Sequence, residues 1–208
     1  MNGSRMNWER SDIIVKPKLF LDFDGVIVDT ITAIVDLYNE DFLKYSGFKK
    51  VLPSEINSWS FEECKCASSE IFDFYFNTPR FFNHLKFMEN AESLLWLLMY
   101  DFDVYVVSHG HTPNLNLKSE WIYNHISKDI KFIGVDLDKH KDKSCVDMTD
   151  GIFIDDCANN LKTSNATYKF VFGEEYPWNK EYGYIRCISW IDLYKELIYL
   201  NSMVYQKE

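Results

Sequence analysis

The chain has 208 residues, which suits one domain or one domain carrying a small inserted lobe and excludes a third unit. Hydrophobic residues make up 47% against 26% charged, too apolar for intrinsic disorder, and eight glycines and five prolines exclude collagen-like or linker-rich chains. The net charge of −10, with 22 scattered basic residues, repels a phosphate backbone and disfavours nucleic acid as a partner.

The first strong signature is Lys18-Leu19-Phe20-Leu21-Asp22-Phe23-Asp24-Gly25. A continuous apolar run that ends in acids and a glycine reads as a buried parallel strand emerging at a sheet edge. Thr30 to Tyr45 follows with Ile34, Leu37, Tyr38 and Phe42 at helical spacing, and Asp29 stands where an N-cap belongs. Gly47 to Leu85 is dense in aromatic residues and too long to stay structureless inside a compact domain. Residues 30–85 are therefore expected to form a small helical lobe over the C-terminal edge of the sheet.

The remaining chain alternates. Ala91 to Tyr100 is expected to be helical, with Ala91, Leu94, Leu95 and Leu98 on one face. The strand Asp103–Val107 runs into Ser108-His109-Gly110, and a helix follows over Leu117–Ile126. Strands are predicted at Lys131–Val135, ending at Asp136, and at Gly151–Ile154, ending at Asp155-Asp156. Tyr168–Phe172 is a fifth strand and Tyr184–Cys187 a weaker sixth; the last helix spans Ser189 to Leu200 with Ser189 as N-cap. This order predicts an α/β fold, a Rossmann-like parallel sheet core of residues 1–29 and 86–208, with a helical cap of residues 30–85 inserted after the first strand.

The longest apolar run, Leu94 to Tyr100, is far short of the ~20 residues that span a bilayer, and the polar N-terminus lacks the apolar stretch of a secretion signal. Five cysteines, an odd number without framework spacing, read as reduced thiols. A cytoplasmic protein with no membrane partner is expected.

In an open α/β sheet, ligands bind beyond the carboxyl ends of the strands. Those ends carry Asp22 and Asp24, Ser108, and Asp155 with Asp156. Four carboxylates converging in one crevice repel each other unless a cation joins them, and hard oxygen donors favour Mg²⁺. Such a set suits phosphoryl transfer: one carboxylate attacks phosphorus, and a second, two positions on, moves the proton of the leaving oxygen. Ser108 offers a hydroxyl and Lys118 an ammonium for the remaining phosphate oxygens, with Lys139, Lys141 and Lys143 as competitors for the lysine role.

These segments resemble the haloacid-dehalogenase-like phosphatases. LFLDFDGVIVDT is similar to their first motif, VYVVSHG to their second and GIFIDD to their fourth; Lys118 within LKSEWI is the best match to the lone lysine of the third. The stretch PRFFNHLKFMENA, the spacing of Lys118 and Trp121, and Asn159-Asn160-Leu161 after the paired aspartates further resemble the cytosolic and mitochondrial 5′(3′)-deoxyribonucleotidases and their bacterial and phage relatives, over roughly residues 17–195. The resemblance implies that Asp22 is the nucleophile and Asp24 the acid/base. It implies that Asp22, the backbone carbonyl of Asp24 and one of Asp155 or Asp156 hold Mg²⁺, and that Ser108 and Lys118 bind the transferred phosphate. The chain departs from that family in His109-Gly110-His111, which places His109 where it can touch phosphate or ribose.

Most lobe aromatics read as a small core at helical spacing, with Trp59 and Phe61 as candidates to stack on a base. The expected function is Mg²⁺-dependent hydrolysis of a small phosphomonoester, a nucleoside and foremost a deoxyribonucleoside monophosphate, through an aspartyl-phosphate. The alternatives are a sugar phosphate or polynucleotide end as substrate of the same chemistry, or a non-catalytic nucleotide-binding homologue. A homodimer is left open.

Overall fold

A computed structural model describes residues 16–180 and 183–205. The polar N-terminal stretch considered above lies outside these residues. The strands are β1 (Lys18–Leu21), β2 (Asp103–Gly110), β3 (Lys131–Asp136), β4 (Ile152–Asp155), β5 (Tyr168–Phe172) and β6 (Ile185–Cys187). They form one sheet in the order β3-β2-β1-β4-β5-β6, with every pairing parallel. The helices are α1 (Thr30–Phe42), α2 (Ser69–Phe76), α3 (Pro79–His84), α4 (Ala91–Asp101), α5 (Thr112–His125), α6 (Ala158–Thr163) and α7 (Trp190–Leu200). Among the described residues, no helix is long and apolar enough to cross a membrane.

The chain leaves β1 for β2 on one side and reaches β4 on the other, so β1 sits at the point where strand order reverses and a crevice opens. Leu21 pairs with Val106 and with Ile154, and the amide of Asp22 donates to the Ile154 carbonyl at 2.9 Å. This register brings the acidic ends of β1 and β4 side by side.

Alternation along β1 assigns its residues to two faces. Leu19 and Leu21 join the larger apolar cluster, and Phe20 joins a smaller one with Val107, Phe153 and Leu161. The larger cluster continues without interruption from the sheet into the segment after α1, through Ile56, Ala67, Tyr75 and Phe81. Polar ties add to it. Tyr75 donates to Asp41 at 2.6 Å, Arg80 bonds both Asp41 and Glu40, and His84 meets Glu40, which fastens α2 and α3 to α1. Asn39, buried on α1, exchanges two hydrogen bonds with the backbone of Val51.

Asp29 caps α1, accepting from the Thr32 amide at 3.0 Å, and Ser189 caps α7 by accepting from the Asp192 amide. Three boundaries differ from expectation by three residues or more. The first helix ends at Phe42 rather than Tyr45, β2 continues to Gly110 rather than ending at Val107, and α5 begins at Thr112 rather than Leu117. Pro113 occupies the first turn of α5, where its missing N–H costs nothing, but that turn has no apolar stripe for periodicity to detect. The short helices α2, α3 and α6 have too few turns to give a periodic signal.

Candidate active site

The turn after β1 is set by Gly25. Its φ of +69° lies in the left-handed region, and a Cβ there would stand 2.5 Å from Asp156 Oδ2, so glycine is required both by the backbone and by the neighbouring carboxylate. The amides of Ile27 and Val28 donate to the Phe23 carbonyl and close the turn. Asp22 is almost fully buried, and its Oδ1 accepts from the Phe23 amide at 2.7 Å.

Two lysines reach this turn from different elements, and both are buried. Lys118, in the second turn of α5, bonds the Asp24 carboxylate and donates to Ser108 Oγ at 2.9 Å. Its ammonium also lies 4.7 Å from the Phe76 ring and 5.6 Å from that of Phe23. Lys143, in a helical turn of residues Lys143–Cys145 ahead of β4, lies 2.7 Å from Asp22 Oδ1 and 2.6 Å from Asp155 Oδ2. Thr30 Oγ1 donates to the other oxygen of Asp24 at 2.9 Å.

Electrostatics follow from this geometry. Burial lifts the Asp22 carboxyl to about 7; Lys143 opposes the rise, while Asp155 and Asp24 add to it. Burial alone would lower Lys143, but Asp155 and Asp22 beside it hold the ammonium above its ordinary value. Asp156 is pushed well above the carboxylate range by burial first, then by Asp22 and Asp155. Four carboxylates, Asp22, Asp24, Asp155 and Asp156, face two ammonium groups, and that surplus of acids is of the kind a divalent cation offsets.

Oxygens of Asp22, Asp155 and Asp156 lie within 4.8 Å of one another. The two aspartates after β4 differ. Asp155 is fully buried, and its oxygens are taken by Lys143, the Cys157 amide and Asn160. Asp156 lines an open cavity of about 590 Å³ together with Asp22 and Asp24. The Asp24 carboxylate, held by Lys118 and Thr30, is not part of the close trio.

Of the residues singled out in the sequence, Trp59, Phe61 and His109 line the same cavity. Trp59 is 68% exposed at its edge, and His109 Nε2 is 2.7 Å from the His140 carbonyl. Ser108 is buried against Lys118. His111 pairs instead with Asp138 at 3.2 Å. Lys143, only a competitor on the sequence, makes the contacts to Asp22 and Asp155 that Lys118 does not. Phe72, Phe76 and Trp178 complete the apolar lining.

The model of the family described as 5′ nucleotidase, deoxy (pyrimidine), cytosolic type C matches residues 16–203. The chain belongs to this family. A 5′(3′)-deoxyribonucleotidase of Clostridium acetobutylicum is 32% identical over 112 residues, which make up 51% of this chain and 57% of that relative, so the match spans little more than half of its length. Among solved structures, a predicted phosphatase from Clostridium acetobutylicum superposes with a TM-score of 0.62 at 17% identity, covering 89% of this chain and all of the other. A haloacid dehalogenase-like hydrolase from Streptococcus pneumoniae gives 0.58 at 15%, covering 88% and 98%. A magnesium-bound hydrolase of the same type from Bacillus subtilis gives 0.56 at 16%, covering 88% and 99%. The chain thus has the haloacid dehalogenase-like fold, as the sequence predicts.

Proposed function

We propose that the protein is a Mg²⁺-dependent phosphomonoesterase that hydrolyses nucleoside monophosphates, preferentially deoxyribonucleotides, through an aspartyl-phosphate on Asp22. The observation that carries this reading is that Asp22, Asp24, Asp156 and Lys143 line one cavity together with aromatic side chains, with Lys118 bonded to Asp24 from behind. Family membership and the likeness to a 5′(3′)-deoxyribonucleotidase of Clostridium acetobutylicum support the substrate class.

In the first step an Asp22 oxygen forms a bond to phosphorus while the bond from phosphorus to the ester oxygen breaks. Asp24 gives its proton to the departing oxygen and so releases the nucleoside. In the second step Asp24 takes a proton from water, the water oxygen bonds phosphorus, and the link to Asp22 breaks to yield inorganic phosphate. Lys118 and Thr30 fix the Asp24 carboxylate for both transfers. Lys143, which lines the cavity, screens the charge on Asp22 and meets the phosphate oxygens, whereas Ser108 and Lys118, fully buried and bonded to each other behind the lining, act through Asp24.

The donor set fits Mg²⁺: Asp22, the Asp24 carbonyl and Asp156 are hard oxygens, and Asp156 is favoured over Asp155 because the latter's oxygens are already engaged. When bound, the ion neutralises phosphate charge so that an anionic nucleophile can approach. Residues 30–85 serve as the cap and the other described residues as the core, and the cytosolic type of the family favours a cytoplasmic setting.

The test is phosphate release from dUMP, dTMP, ribonucleotides and sugar phosphates with Mg²⁺, for the wild type and Asp22→Asn. Turnover of a deoxynucleotide that disappears in the variant supports the reading. Turnover surviving in Asp22→Asn overturns the mechanism, and a preference for sugar phosphates overturns the substrate class.

A further inference from the structure

The loop between β5 and β6 is an irregular connection that is nonetheless densely bonded. Arg186 donates to the carbonyls of Gly173, Glu174 and Asn179, and the buried Asn179 bonds the Tyr176 amide and the Glu174 carbonyl. These contacts hold out Trp178, whose ring stacks on Tyr176 with centroids 4.5 Å apart and planes at 2°. The Trp178 carbonyl accepts from the Ala158 amide at 3.3 Å, at the start of the helix that follows Asp155-Asp156, which ties the indole to the carboxylate end of the site. Across the cavity mouth, Trp178 meets Trp59 of the cap edge to face, at 6.0 Å and 69°.

One atom in this arrangement lacks a role within the fold. The Trp178 indole Nε1 is buried and has no hydrogen-bond partner among the described residues, although buried indole N–H groups ordinarily find one. Trp178 lines the same cavity as Asp22 and Asp24, and so does the largely exposed Trp59. A braced aromatic platform, an uncommitted donor and a second ring facing it suit a flat heterocycle bearing a carbonyl or ring-nitrogen acceptor.

From this geometry we infer that Trp178 is a specificity-determining residue: with Trp59 it forms the wall against which the base of a bound nucleotide packs, and its indole N–H, enclosed while the two indoles touch, donates to that base once they part. This inference rests on the nucleotidase reading and adds to it a recognition element from the core, where the candidates Trp59 and Phe61 belong to the cap. Tyr176, Asn179 and Arg186 are its positioning residues.

The experiment compares steady-state kinetics on dUMP with inhibition by inorganic phosphate, which has no base, for wild type, Trp178→Ala and Trp178→Phe, each checked for folding by thermal unfolding. Trp178→Ala is expected to raise KM for dUMP roughly 10-fold or more, by loss of stacking, and to change the inhibition constant of phosphate far less. Trp178→Phe keeps a ring and removes the donor, so its KM falls between the two. KM for dUMP within twofold of wild type in both folded variants, or equal changes in KM and in phosphate inhibition, overturns the inference while leaving the nucleotidase reading intact. If Trp178→Ala does not fold, Trp178→Phe alone decides by the same ratio. A wild type that hydrolyses base-free phosphoesters but no nucleotide overturns the nucleotidase reading itself, and this inference with it.

Discussion

Lys143 Nζ lies 2.7 Å from Asp22 Oδ1, and both groups are almost wholly removed from water. An ammonium in that position favours the anionic carboxylate that burial disfavours, and it remains beside any phosphoryl group attached to Asp22. Lys143→Met is therefore expected to lower kcat about 10²–10³-fold, the loss typical of one preorganised charge-stabilising group. Phosphate release by protein whose circular dichroism matches wild type checks this; a loss under tenfold would remove Lys143 from the mechanism.

Removal of the metal gives a second outcome. Chelation with EDTA should stop turnover, and Mg²⁺ at about 100 times its dissociation constant should stabilise the fold by about 2.7 kcal/mol, near 5–10 °C in Tm for a chain of this size. Asp156→Asn should lose most of that shift. A thermal shift retained in Asp156→Asn would transfer the metal role to Asp155.

Gly25→Ala places a methyl group against Asp156 Oδ2 and forces an L-residue to adopt φ +69°. The left-handed conformation alone costs about 1–2 kcal/mol, and displacement of Asp156 adds a functional loss. The variant should unfold a few degrees lower and need at least tenfold more Mg²⁺ for half-maximal activity. Unchanged Mg²⁺ dependence would show that Asp156 moves aside without consequence.

The cap should respond weakly to pH through His84. Burial, the largest single influence, lowers its affinity for the proton, but the hydrogen bond to Glu40, the bond to the Arg80 carbonyl and the Glu40 charge together raise the imidazole above its ordinary value. A folded-state value above the unfolded one means the contribution is complete below about pH 6.5 and fades as pH rises through the folded value. Glu40 is more than half exposed, so solvent screening limits the effect to under about 1 kcal/mol. His84→Gln should lower Tm by about 1–3 °C at pH 5.5 and not measurably at pH 8.5. An equal loss at both values would assign His84 a packing role.

Strands β1 to β4 were legible because each carries an apolar run directly into a polar residue, and Asp22, Ser108 and Asp155 all occur at such transitions; β6, Ile-Arg-Cys followed by Ile188, has no such transition and reads weakly. Asp29 and Ser189 show their capping roles in residue type alone. The lysine roles are not legible in the same way. Lys139, Lys141 and Lys143 alternate along one loop without periodic burial, and only the folded chain separates the exposed Lys139, paired with Asp136, from Lys143 beneath the sheet edge. Lys118 looks like the start of a helix on the sequence because the preceding turn of α5 is polar, yet that turn puts it within reach of Ser108 and Asp24. Trp178 gives even less signal, since its value depends on a loop geometry set by Arg186 eight positions later.

The apolar cluster that passes unbroken from the sheet through α1 to Tyr75 and Phe81 bears on how a substrate enters. Swinging residues 30–85 away as a rigid body would tear oil-like surface from both halves, a penalty that grows with every square ångström wetted. Traffic is cheaper at the lip, where Trp59 and Trp178 touch through one edge-to-face contact. On this account the two indoles, rather than the whole of residues 30–85, are the least costly place for the vessel to open.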